Sequence, residues 1–124
     1  TYGIEQTQAI KQRLKYGFTH LMEYVRTLHD NGVELRIGSN MPFDGSAFAQ
    51  EQNLFLEYGF TIPEIGRISS FNAAKVLAIH NHKGKIAIGY TADLVVFPKN
   101  ETDNKFDFTR INRVIKGGRA EKMK

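Results

Sequence analysis

The sequence predicts an α/β fold that gives way to a β-rich C-terminal segment, and three features predict it. Apolar residues recur at steps of three and four through the first thirty positions. A short alternating run follows, and further helix-period segments follow that. After His80 the texture changes to β-branched runs punctuated by glycine.

Taken in order, Ile10, Leu14, Phe18, Leu21, Val25 and Leu28 lie on one helix face, with Gln12, Arg13, Glu23, Arg26 and Asp30 opposite. Gly17 is a point where this helix can split. Gly32, in "DNG", suits the left-handed position that closes a helix. Val33, Leu35 and Ile37 then alternate with Glu34 and Arg36, which predicts a strand ending at Gly38. Asp44-Gly45 signals a turn, and Ser46 is placed to cap a helix carrying Phe48, Leu54, Phe55 and Tyr58 before "YGF" stops it. Thr61 with Glu64 three residues on makes a capping box for the next helix, whose apolar side is Ile62, Ile65 and Ile68. Ser69-Ser70 is expected to interrupt, and Asn72 to cap a last short helix through Ile79. Beyond it, Lys85 to Ile88 and Leu94 to Phe97 read as strands joined through a turn at Gly89. A polar loop, "PKNETDNKFD", leads to one last strand in "RINRVIKGGR" that ends at Gly117-Gly118.

The chain has 124 residues, enough for one domain or a piece of one and short of the roughly 250 of a complete eight-fold α/β barrel. Its start carries neither Met nor a basic-then-apolar leader and reads as a cut, so a fragment is expected. The composition, 41% hydrophobic and 24% charged, is that of a globular chain and excludes collagen-like, disordered and membrane-spanning classes. The net charge is +4, yet the 17 Lys and Arg are interspersed with 13 acids, so no nucleic-acid footprint and no membrane partner are expected. Zero Cys removes disulfides, thiolate metal sites and cysteine nucleophiles, and suits the cytoplasmic location we expect. "NET", Asn100 to Thr102, matches a glycosylation sequon that nothing else in the chain supports.

One combination is more specific than composition. Gly84, Ile86, Gly89, Ala92, Asp93 and Leu94 fit "G-x-I-x-x-G-x-x-A-D-L", and Asn72-Ala73-Ala74 fits "N-x-A". With the order helix, "GSN" strand, helix, "TIPEIGRISSFNAAKVLAI" and "INRVIKGGR", the chain resembles the C-terminal third of the metal-dependent amidohydrolase superfamily, imidazolonepropionase-like and cyclic-amide hydrolases in particular. The resemblance runs from about Gly32 to Arg119. It implies a C-terminal fragment of a (β/α)8 barrel: residues 1–80 as its last helix and strand units, and residues 81–124 as strands of the small β-sandwich beside it.

The strand ending at Gly38 would then be the eighth, with residues 38 to 45 at the mouth where such barrels gather their active sites. The family places an aspartate where Asn40 stands. The resemblance gives that carboxylate two tasks, binding a divalent metal, zinc being expected, and taking the proton of the metal-activated water that attacks the amide. Asn cannot take that proton, and its amide oxygen is a weaker ligand. Asn40 is thus a site that has lost its acid, a substitution that traps substrate, or part of a variant centre. Met41, Phe43 and Asp44 are expected to border the substrate. The other family ligands, a His-x-His pair, a bridging Lys or acid and two further histidines, would lie upstream of Thr1. No metal is therefore expected to bind this segment tightly.

Other candidates have plainer readings. "HNH", His80 to His82, follows a helix instead of ending an apolar strand, so it reads as a connector. His20 and His29, nine apart, miss the i, i+4 spacing of a shared metal. Asp44 reads first as a turn former, and Asp93 as an acceptor for backbone N–H groups near the hairpin. Gly117-Gly118 lacks the other parts of a phosphate-binding loop. The reading is a segment of a hydrolase for carbon–nitrogen bonds in small cyclic amides or amines, inactive alone, partnered by the remaining barrel strands or by self-association. Its alternative is a non-catalytic binding or assembly module descended from such an enzyme.

Overall fold

The structure, a computed structural model, describes residues 2–39, 45–99 and 106–122. It divides into two compact units, residues 1–34 and 35–124.

The first unit is one helix, α1 (Tyr2–Asp30), unbroken at Gly17. Arg26 Nε donates to both carboxylate oxygens of Asp30, at 2.9 and 3.1 Å, one turn on. The helix stops as expected at Gly32, whose φ is 86°. The bonds Gly32 N to His29 O (2.9 Å) and Val33 N to Leu28 O (3.0 Å) form a Schellman closure. Along the helix Ile10, Leu14 and Leu21 are more than half exposed.

The second unit starts with residues 35–39, which carry no regular secondary structure. The strand expected over Val33 to Ile37 is therefore not formed, because a barrel strand is held by ladders to neighbours, and no strand among the described residues pairs with it. Helix α2 (Gly45–Glu57) ends in a second Schellman closure at Gly59, φ 87°. There Gly59 N bonds Leu56 O and Phe60 N bonds Phe55 O. The Phe55 and Phe60 rings meet edge to face at 4.8 Å.

Helix α3 (Ile62–Gly66) opens with the full capping box: Glu64 N donates to Thr61 Oγ1 and Thr61 N donates to Glu64 Oε2. Ser69-Ser70 does not interrupt. The chain runs on as a π-helical turn (Arg67–Phe71) into α4 (Asn72–Val76). Phe60, Ile65 and Ile68 are the most deeply buried large side chains, with Ile65 and Ile68 fully covered. Each such isoleucine contributes about 2 kcal/mol by leaving water.

Three short strands follow, β1 (Leu94–Val96), β2 (Arg113–Lys116) and β3 (Arg119–Ala120), in an antiparallel sheet of order β1-β2-β3. The register pairs Leu94 with Ile115, Val95 with Val114 and Ile115 with Ala120. Lys85 to Ile88, expected as a strand, is irregular, and Ile86 and Ile88 are almost wholly exposed. The last strand ends at Gly117-Gly118 as expected, but those glycines turn the chain back into β3. Their φ values of 55° and 81° fit a two-residue hairpin turn with both central residues left-handed. Phe97, Phe106 and Phe108 form an edge-on aromatic trio with centroids 4.8 to 5.5 Å apart. Asn53 of α2 clasps the adjacent chain, donating to Asp107 Oδ1 at 2.7 Å and accepting from Phe108 N at 2.9 Å.

Candidate functional site

Asn40, Met41, Phe43 and Asp44 lie outside the described residues, as does the sequon at Asn100. What the structure describes is the frame on either side of residues 40–44.

On its N-terminal side that frame is a side-chain clasp. Asn72 Nδ2 donates to Leu35 O at 2.8 Å, and Arg36 Nε donates back to Asn72 O at 3.2 Å. Asn72 is 3% exposed, the one buried polar residue among those described. Its backbone is helical, φ −65° and ψ −36°, and the chain enters α4 without a side-chain cap. The expectation that Asn72 caps a helix is thereby corrected: the π-helical turn already delivers the chain in helical form, so the amide is released to reach a distant carbonyl. Its Oδ1 is buried without a hydrogen-bond partner. On the C-terminal side of residues 40–44 stands α2, tied to the π-helical turn by Gln52 Nε2 donating to Ser69 Oγ at 3.0 Å.

The signature glycines and aspartate are structural in their contacts. Gly84, φ 96°, lies against the helical layer so closely that a Cβ there would stand 2.8 Å from Ala74 Cβ and 3.1 Å from Phe71 Cα and Ser70 O. Gly89 turns at φ 84°. Asp93 accepts from Gly117 N at 2.8 Å and from Lys83 Nζ. One carboxylate so links the turn at Lys83 to the β2–β3 hairpin, a connection the sequence reading did not anticipate. The Lys83 hydrogen bond first, and the Gly117 N–H after it, hold the Asp93 carboxyl below the usual carboxylate value. Asp107 is lowered likewise, by Asn53 and then by Thr109.

The histidines keep their plain readings. His80 and His82 sit in turns, His80 offering its carbonyl to Tyr90 OH at 2.8 Å and His82 Nδ1 lying 2.6 Å from Asn81 Oδ1. His20 pairs with Glu23 at 3.1 Å on the exposed side of α1. Among the described residues no three His, Asp or Glu stand where they could hold a metal ion together. Nor, among them, is any helix long and apolar enough to cross a membrane. Basic side chains do converge at one place, Arg67, Lys75 and Lys85, each 5.4 to 5.9 Å from the Phe71 ring centre. An open depression lies over Leu94, Val95, Val114 and Ile115, with Asp93 and Lys116 at its edge.

Sequence reasoning missed two connections, Asn72 to Leu35 and Asn53 to Asp107 and Phe108. Asn72 carried a signal for the first, since an asparagine between Phe71 and Ala73 inside a helix needs a hydrogen-bond partner, whereas nothing in the sequence around Asn53 marks the second.

Comparison with known proteins gives a consistent result. The sequence model of the Amidohydrolase family matches residues 19–120. An imidazolonepropionase from Kosmotoga olearia is 42% identical over 65 residues, which are 50% of this chain and 16% of that protein. The crystal structure of an amidohydrolase from Thermotoga maritima superposes with a TM-score of 0.62 at 26% identity, over 80% of this chain and 25% of that one. The chain thus spans about a sixth of the length of the first relative and a quarter of the second.

Proposed function

The chain belongs to the amidohydrolase family, a family of hydrolases that is generally metal-dependent, and from that premise we propose the following reading. The protein that carries this chain hydrolyses a carbon–nitrogen bond, other than a peptide bond, in a small cyclic amide or amine. A divalent metal, zinc by family resemblance, would supply the activation of the attacking water. The observation that carries this reading is the 42% identity to a protein named imidazolonepropionase.

The donors of this chain do not fit a complete metal centre, since the described residues bring no three ligands together and position 40 offers an amide. The segment contributes position 40 and its frame, with Met41, Phe43 and Asp44 bordering the substrate. The remaining ligands belong to other strands. We place the barrel portion at residues 1–80, the sandwich portion at 81–124, and the protein in the cytoplasm.

Amide chemistry at position 40 also favours a second reading. A neutral amide does not take the proton from a nucleophilic water. A protein so changed can retain a ligand without cleaving it, and would serve as a binding or assembly module.

The test is hydrolysis of a panel of five- and six-membered cyclic amides by the native protein, with and without chelator, beside its Asn40→Asp variant. Turnover that the chelator removes, with none by the isolated 124-residue chain, is the expected result. Ligand retention without turnover, reversed to turnover in Asn40→Asp, would establish the second reading instead. Chelator-resistant hydrolysis by the isolated chain would contradict both.

A further inference from the structure

We propose that Asn72 is a positioning residue: it holds the backbone at Leu35, in the run through which the chain reaches Gly38. The inference rests on the hydrolase reading above for its catalytic consequence, and on the structure alone for the clasp.

Three observations carry it. The first is that the contact is double and of opposite sense. Asn72 Nδ2 donates to the Leu35 carbonyl at 2.8 Å, while the Asn72 carbonyl accepts from Arg36 Nε at 3.2 Å. The Asn72 side chain thus holds the Leu35 backbone carbonyl directly, and the Arg36 side chain folds back onto the Asn72 backbone beside it.

The second is burial without full satisfaction. Asn72 is 97% covered, and its Oδ1 has no hydrogen-bond partner among the described residues. A buried amide that leaves its acceptor unmatched carries a desolvation cost that an apolar side chain of similar size would not. Packing therefore does not account for an asparagine at this place. Donation to Leu35 does, and turning the amide over would set Oδ1 against the Leu35 carbonyl.

The third is the base from which Asn72 reaches. Ala74 beside it is 4% exposed, Ile68 is fully covered, and the Gly84 backbone presses on Ala74, Phe71 and Ser70. Residues 35–39, by contrast, have no ladder from the described strands. A clasp from a well-packed helical layer onto a segment without a ladder transmits position in one direction, from helix to loop.

An ionised Asp has the same shape as Asn but no donor, so it serves as the decisive variant. The experiment uses the native protein and its Asn72→Asp, Asn72→Ala and Arg36→Met variants, reading amide hydrogen exchange over residues 33–39 together with kcat and KM on a cyclic amide that the unaltered protein cleaves. Both Asn72 variants are expected to raise exchange over 33–39 by about tenfold, with the amides of α2 changed by less than about twofold. They are expected to lower kcat by about tenfold at nearly constant KM, since the substrate contacts remain and only their alignment is lost. Arg36→Met should act on the same segment more weakly, and it decides the matter if Asn72→Ala does not fold. Unchanged exchange over 33–39, or an Asn72→Asp protein indistinguishable from the unaltered one, would overturn the proposal. If the unaltered protein cleaves no cyclic amide, the hydrolase reading fails by itself. The exchange arm then still supports the clasp by a segment-specific rise, or overturns it by none.

Discussion

At residue scale the signature positions act through backbone geometry and hydrogen bonds. Gly84 combines a positive φ of 96° with an approach to Ala74 that leaves a Cβ only 2.8 Å of space. Both penalties fall on one substitution, because the left-handed region disfavours any side chain and the facing atoms are mostly backbone of the helical layer. Gly84→Ala should lower unfolding free energy by about 2 kcal/mol or more, read by urea titration at 25 °C. Asp93 offers a second test at this scale. Its carboxyl is held below its ordinary 3.8 by Lys83 and by the Gly117 N–H. A group depressed in the folded state adds stability that is fully present above its unfolded value and is lost as pH falls through its folded one. Asp93→Asn should therefore be less stable than the unaltered chain at pH 7, and the gap should narrow as the pH drops below 3.8. Melting temperatures taken from pH 7 to pH 2 would show it, and a gap independent of pH would contradict the assignment.

At the scale of elements, three helix ends close with the same pair of bonds, and only two of them have the residue such an end favours. Gly32 and Gly59 supply the left-handed position for α1 and α2. After α4 the position is taken by Ala78 at φ 56°, with Ala78 N bonded to Lys75 O and Ile79 N to Ala74 O. A Cβ in that conformation costs about 1–2 kcal/mol, which exceeds the about 0.4–1 kcal/mol by which glycine enlarges the unfolded ensemble. Ala78→Gly should accordingly stabilise the chain by about 0.5–1 kcal/mol, measured by denaturant titration. The contrast explains what was legible in the sequence. Local signals held: the capping box at Thr61 and Glu64, the glycine closures and the Gly89 turn depend on residues within a few positions of one another. Non-local ones did not. Val33 to Ile37 and Lys85 to Ile88 have strand composition, but a strand exists only when another pairs with it. Asn72 carries the signal of a cap, and only the packing of residues 37 positions apart reveals what it binds. For the candidate site the sequence supplied the residue types at 40 to 44, and the fold supplies the clasp and the helix on either side of them.

At the scale of the whole molecule, we propose that this chain is part of a larger hydrolytic framework. The family match over residues 19–120 stands beside relatives of which the chain spans 16% and 25%. Ile4, Ile10, Leu14 and Leu21 along α1 are more than half exposed, and in the second unit Ile86 and Ile88 are almost wholly so. Ladders for the strand-like runs at 33–37 and 85–88 and ligands for a metal centre would both come from the same further strands. The measurement that tests this most directly is the intact mass of the protein as its own cell makes it, with the sequence of its N-terminus. A mass several times 14.1 kDa, with a His-x-His pair upstream of Thr1, is the result the account predicts. A mass of 14.1 kDa with Thr1 at the start would contradict it and leave a binding or assembly role in place of hydrolysis.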